Sequence, residues 1–276
     1  GRCTPLAPLQ RHPAHGRHDL QLAMSVLANP LEVVTAMGRV PLQWRERGTP
    51  PQRCRVAVLY DDAEAEVDDA VQAGLRNLVA FMRSEGVSVT EGAKPVDSAE
   101  ANEVYTLLLR AATGSHYDDA TYAAAQARSA TYAPDDQSYA ALHFRGNTYS
   151  HLQWVRMDER RERLRQQWAA YFENFDLLIC PVAPTPAFAH MQTGERWERL
   201  IPVNGHTQPS TDGLFWAGYP GIVGLPATAI PLGLSPQGLP VGAQIVAPAF
   251  GDPDALRFAA WIEDGFRSFV PPPGLA

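Results

Sequence analysis

The sequence predicts an α/β fold, and three observations carry that reading. Short apolar runs of strand length recur, each meeting a proline: Leu177 to Cys180 before Pro181, Thr228 to Ile230 before Pro231, and Val241 to Val246 before Pro248. Buried strands read as near-continuous apolar runs, and proline ends them because it lacks the ladder N–H. A strand, an amphipathic helix and a second strand follow within about 36 residues, the spacing of a parallel βαβ unit. Helical periodicity fills most of the rest.

The elements follow in chain order. Leu20, Ala23, Met24 and Leu27 recur at helical spacing, and Asn29-Pro30 stops that helix. Pro50-Pro51 marks a connector. Arg55 to Tyr60 reads as a strand. Ala63 to Ser84 reads as a helix with Val67, Val71, Leu75, Leu78 and Met82 on one stripe, and Val87 to Thr90 as the returning strand. Helices are expected over 99–113, 118–128, 135–147 and 149–174. The last carries Leu152, Val155, Leu164, Trp168, Tyr171 and Phe172 on its buried face and a charge run on its solvent face. Residues 190–213 are polar and contain three glycines, so they read as a loop. Asp254 to Phe269 closes the chain as a helix, and the Pro-Pro-Pro-Gly tail has no helical option. The whole reads as a single α/β domain over 1–276. In open α/β sheets, ligands bind outside the strand ends.

Composition narrows the function classes. Of 276 residues, 45% are hydrophobic and 19% charged, ordinary for a globular protein. A formal charge of −7 argues against a nucleic-acid surface. No apolar run reaches the roughly 18 residues of a membrane span, and no signal peptide is expected. Cys3, Cys54 and Cys180 form no Cys-x-x-Cys pair, which points to reduced thiols and a cytoplasmic location. The chain starts at Gly1 with its first methionine at Met24, as a processed or truncated product would. Its single lysine, Lys94, stands against 22 arginines.

Few constellations carry chemistry. His12, His15 and His18 recur every three residues, but Pro13 and Gly16 interrupt them and no acid or thiol joins them, so no metal is expected. Asp118 and Asp119 beside His116 read as helix caps. No phosphate loop, dinucleotide fingerprint or serine elbow occurs, and no cofactor is expected.

The strand–proline pattern is more specific. Pro181-Val-Ala-Pro184-Thr185-Pro186 leads to Gly224-Leu-Pro-Ala-Thr-Ala-Ile-Pro-Leu-Gly233 and then Gly238-Leu-Pro-Val-Gly-Ala-Gln244-Ile-Val. This order resembles the C-terminal region of the amidase signature amide hydrolases. Arg55 to Asp62, the Thr4–Pro30 segment and the Ser268 to Gly274 ending are also similar to that family. Ala7 and Asn29 depart from it by replacing its usual glycines. The resemblance implies a mixed, largely parallel central sheet flanked by helices, and a small-molecule amide as substrate. It implies hydrolysis of carboxylic amide C–N bonds by a serine, a cis-peptide serine and a lysine. It also implies that Pro184, Thr185, Phe215 and Trp216 contact the substrate, although Phe215 and Trp216 read equally as core packing.

The family's catalytic groups lie in a Gly-Ser-rich segment ahead of the part matched by Thr4–Leu9. This chain holds no Gly-Gly or Ser-Ser pair. Lys94, in Glu-Gly-Ala-Lys-Pro-Val-Asp, reads as solvent-exposed. The expectation is therefore an amidase-like fragment, or half of a split enzyme, that is inactive alone and self-associates through an exposed sheet edge. The alternative is a non-catalytic binding module or a degenerate gene product.

Overall fold

A computed structural model describes residues 17–27 and 48–271. The βαβ unit expected from the sequence is present. Strand β1 (Arg55–Val58), helix α2 (Asp69–Ser84) and strand β2 (Ser88–Glu91) follow helix α1 (Arg17–Leu27), and β1 pairs parallel with β2. Four helices come next: α3 (Ser98–Gly114), α4 (Asp119–Ser129), α5 (Tyr139–Asn147) and α6 (His151–Asn174). Then come strand β3 (Leu177–Pro181), strands β4 (Leu200–Val203) and β5 (His206–Pro209), and helix α7 (Leu214–Gly221). Strands β6 (Ala227–Leu234) and β7 (Pro240–Val246) and helix α8 (Asp252–Gly265) complete the order.

The main sheet runs β2-β1-β3-β7-β6. β3 joins β1 in parallel, with Ala57 opposite Leu178. β7 is antiparallel to both β3 and β6. Four of the five strands therefore point one way and β7 alone is reversed, the mixed, largely parallel sheet that the sequence implies. β3 is buried at every position, so its side chains are apolar on both faces. Helix α2 lies against β6 and β7, closely enough that a Cβ at Gly74 would sit 3.0 Å from Leu232 Cβ.

Four sequence expectations need correction beyond shifts of up to four residues at element ends, such as the start of α5 at Tyr139 and the end of α8 at Gly265. Helix α2 starts at Asp69, not Ala63, because Asp68 caps it by accepting from Ala70 N (2.9 Å). The preceding turn is held by Asp61, whose carboxylate accepts from Val67 N at 2.8 Å. In α6, Leu152 is 58% exposed. It precedes Leu164 by twelve residues, which at 3.6 residues per turn turns it about 120° off the buried stripe, and Met157 takes the inward place. Strand β6 continues through Pro231, with an irregularity between Pro231 and Gly233. It lies at the sheet edge, where a missing ladder N–H costs little.

The fourth correction is the largest. The 190–213 segment, read as a loop, contains the β4–β5 hairpin. Its turn is Asn204-Gly205, with φ 46° and 85°, the left-handed pair of a two-residue hairpin. Cys3, His12, His15, the His18 side chain, Asn29-Pro30, the Thr4–Leu9 match and the tail after Pro271 lie outside the described residues.

Candidate functional site

The chain emerges from the carboxyl ends of β1, β2 and β3 into three loops at one end of the sheet. The first carries Asp62, whose side chain is fully buried. Its carboxylate accepts from Lys94 Nζ at 2.7 Å, Ser98 Oγ at 2.6 Å and Glu64 N at 3.0 Å. Lys94 comes from the loop after β2, and Ser98 opens α3. Lys94 Nζ also reaches Ser98 Oγ at 3.3 Å. Lys94 is solvent-exposed as expected, its side chain 43% accessible, but its ammonium is anchored on the buried carboxylate. An ammonium bonded to a buried carboxylate acts as a donor, not as a base, and Ser98 is buried with its hydroxyl proton committed to Asp62. Nearby, the Tyr219 hydroxyl donates to Val96 O at 3.0 Å, and burial raises its pKa.

Glu64 and Asp212 add two acids beside this cluster. Asn102 Nδ2 donates to Glu64 Oε2 at 2.8 Å. Burial, and secondarily the Glu64 charge, pushes the Asp212 carboxyl up to about 6 from 3.8. The folded chain therefore holds this proton more tightly than the unfolded chain. The stabilisation it brings is complete below pH 3.8 and is lost as pH rises through about 6. Asp212→Asn should match the parent in stability at pH 3.5 and exceed it by about 1–2 kcal/mol at pH 7.5. Urea unfolding at the two pH values checks this.

The proline-rich loop after β3 forms one side of a groove of about 320 Å³. Thr185, Pro186 and Phe188 face the hairpin turn at Asn204-Gly205 and the 236–239 turn, and Asp68 at the start of α2 closes one side. Asn204 holds the hairpin in place. Its Oδ1 accepts from Asp69 N at 2.8 Å, and its Nδ2 donates to Glu66 Oε1 at 2.8 Å and Val67 O at 3.2 Å. Phe188, 47% exposed, supplies an apolar rim.

The four residues picked from sequence take three different places. Thr185 lines the groove, with Oγ1 donating to Pro186 O at 2.8 Å. Pro184 is buried, and its carbonyl accepts from Asp68 N at 2.8 Å. Phe215 and Trp216 are 1% and 0% exposed, with ring centroids 5.0 Å apart in an edge arrangement. Trp216 Nε1 donates to Ala65 O at 3.2 Å. Gln244 Nε2 donates to Pro181 O at 3.0 Å and Trp216 O at 2.7 Å, tying β7 to both the end of β3 and α7. These two rings back the loops from the core. Sequence reasoning missed Asp62, Ser98, Asn204 and Phe188. Only Asn204 left a readable signal, the Asn-Gly pair between Ile201-Pro-Val203 and His206-Thr-Gln208. Among the described residues no three His, Cys, Asp or Glu side chains converge as a metal site, and no helix is long and apolar enough to cross a membrane.

Comparison with known proteins gives consistent matches. The family model described as Amidase matches residues 14–256. A glutamyl-tRNA(Gln) amidotransferase subunit of Acidothermus cellulolyticus is 36% identical over 118 residues, 39% of this chain and 19% of that protein. The corresponding mitochondrial amidotransferase subunit of Mus musculus is 30% identical over 111 residues, 40% and 20% of the two chains. Among solved structures, a bacterial aryl acylamidase of the amidase signature family superposes with a TM-score of 0.62 at 18% identity, over 91% of this chain and 52% of that one. A 6-aminohexanoate cyclic dimer hydrolase complexed with substrate superposes at 0.60 and 19% identity, over 91% and 53%. The chain spans about half the length of these solved relatives, and its alignments reach about a fifth of those two curated ones. At such identities the superpositions establish the fold.

Proposed function

The chain belongs to the Amidase family, and on that premise we propose that it supplies the scaffold and one pocket wall of an enzyme hydrolysing carboxylic amide C–N bonds. The observation that carries this reading is the groove at the carboxyl end of β3, where Thr185 and Phe188 face the Asn204 hairpin. It offers a small amide an apolar rim and polar backbone close together, as small-molecule sites do. In this reading Thr185 touches substrate, while Pro184, Phe215 and Trp216 position the wall from behind.

The reading assigns the attacking hydroxyl to none of the serines of this chain. Acyl transfer needs an activated nucleophile beside a free base. Lys94, the single lysine, is bound to Asp62, and Ser98 is buried against the same carboxylate. That self-contained cluster also favours a second reading, a binding module that keeps the groove without the chemistry. A cytoplasmic location belongs to the proposal as well. It is supported by the buried cysteines Cys54 and Cys180, neither in a disulfide, the latter pushed up to about 12 by burial. Self-association through the edge of β6, one of the two outermost strands of the main sheet, completes the proposal.

Two measurements on the purified chain test the assignment. Benzamide should perturb the NMR signals of Thr185, Phe188 and Asn204, and a serine-reactive fluorophosphonate should leave every hydroxyl unlabelled. Labelling of any serine overturns the assignment of the nucleophile. Benzamide shifts confined to other parts of the molecule overturn the groove.

A further inference from the structure

A second constellation lies where α3 crosses α5. The helices approach so closely that a Cβ at Gly146 would fall 2.8 Å from Arg110 Cβ and 2.7 Å from Leu107 O. Arg110 is 6% exposed. Its guanidinium lies 5.4 Å from the Tyr139 ring centroid and donates to the Tyr139 hydroxyl, while its Nε has no partner. Among the described residues no carboxylate pairs with it. A buried cation is costly unless an opposite charge or enough acceptors compensate it, and one aromatic ring and one hydroxyl do so only in part.

The surroundings add positive charge. His143 packs against Trp197 with centroids 5.1 Å apart, and its Nδ1 is buried without a partner. Burial, then Arg110 and Arg196, hold its pKa down to about 4, so the ring is neutral at pH 7. Arg196 also lines an adjoining groove of about 350 Å³ together with Arg199 and His190. Among the described residues neither arginine is ion-paired, and Arg199 donates to Gly194 O. Asn147 Oδ1, a lone acceptor beside Gly114 one turn further along α3, is left outside the site.

We propose that the junction of α3, α5 and the Arg196–Glu198 turn, beside the groove that Arg196 lines, binds a small oxyanion, a carboxylate or a phosphate, with Arg110 and Arg196 as its cationic donors and Trp197 as its apolar wall. A guanidinium presents paired N–H groups that match the two oxygens of such an anion, and the free Nε of Arg110 is one of them. The anion supplies the opposite charge that Arg110 itself lacks among the described residues; the carboxylates of the neighbouring turn, Glu195 and Glu198, cap that turn instead. Its arrival offsets the repulsion from Arg110 and Arg196, the part of the shift that adds to burial, so the imidazole becomes easier to protonate.

The test is an NMR titration of the His143 ring, assigned by its loss in His143→Gln, on the full 276-residue chain. Sodium benzoate and sodium phosphate are the two probes, each at constant ionic strength set with sodium chloride. At least one should saturate and raise the His143 titration midpoint by about one pH unit or more. Saturation by benzoate alone assigns a carboxylate, and by phosphate alone a phosphate. Arg110→Gln should abolish saturation. Arg196→Ala, at an exposed position where folding is not at stake, should weaken it about fivefold or more. Saturation by neither probe, or an unchanged affinity in Arg196→Ala, overturns the proposal.

Discussion

Trp216→Ala should destabilise the chain by about 3–5 kcal/mol, the largest single-residue effect expected here. The indole is completely buried, packs edge-on against Phe215 and donates to Ala65 O. Truncation opens a cavity and leaves that carbonyl without its donor. Trp216→Phe keeps most of the volume but not the hydrogen bond, so about 1–3 kcal/mol is expected. Urea denaturation of the three proteins checks the order. A loss below about 1 kcal/mol for the alanine variant would mean that the site collapses freely, and that Trp216 does not hold the loop after β1 in place. Ala65 lies two residues before Val67, whose carbonyl holds Asn204. The variant should therefore also loosen the hairpin side of the groove, visible as faster amide exchange at Asn204 and Gly205.

The second large effect is expected at Asp62. Its carboxylate takes three donors from three stretches of chain, the loop after β1, the loop after β2 and the start of α3. Asp62→Ala removes all three acceptor contacts and should cost about 2–4 kcal/mol. Lys94→Met should cost less, about 1–2 kcal/mol, because Lys94 is partly solvated and Asp62 keeps Ser98 and Glu64 N as donors. The two losses should not add in the double variant, since both delete the same contact. Thermal or urea unfolding of the set decides the matter. A Lys94 loss equal to or larger than the Asp62 loss would show that the ion pair, not the whole acceptor set, holds these loops.

The legible parts of the sequence are those where a residue's surroundings repeat with the local period. Leu177 to Cys180 could only be a strand buried on both faces, and Val71, Leu75, Leu78 and Met82 could only be one face of a helix. The proline and glycine punctuation from Gly224 to Val246 was distinctive enough to suggest the family whose model matches residues 14–256. The β4–β5 hairpin was legible too, through Asn204-Gly205, but the polar composition around it outweighed that signal.

Tertiary structure alone decided where chemistry-bearing side chains meet. Asp62, Lys94 and Ser98 lie up to 36 residues apart and carry no mutual spacing, yet parallel strands β1 and β2 deliver them to the same end of the sheet. Asn204 meets Asp69 across 135 residues, and Trp216 meets Ala65 across 151. The extended chain fixes the period of each element, so composition and spacing determine strands, helices and their buried faces. Which loops become neighbours depends on strand order and direction, and these follow from packing all the apolar faces at once. Whether Phe215 and Trp216 meet a ligand or fill the core belongs to that second kind of question, because aromatic rings look the same in sequence on either side of a pocket wall.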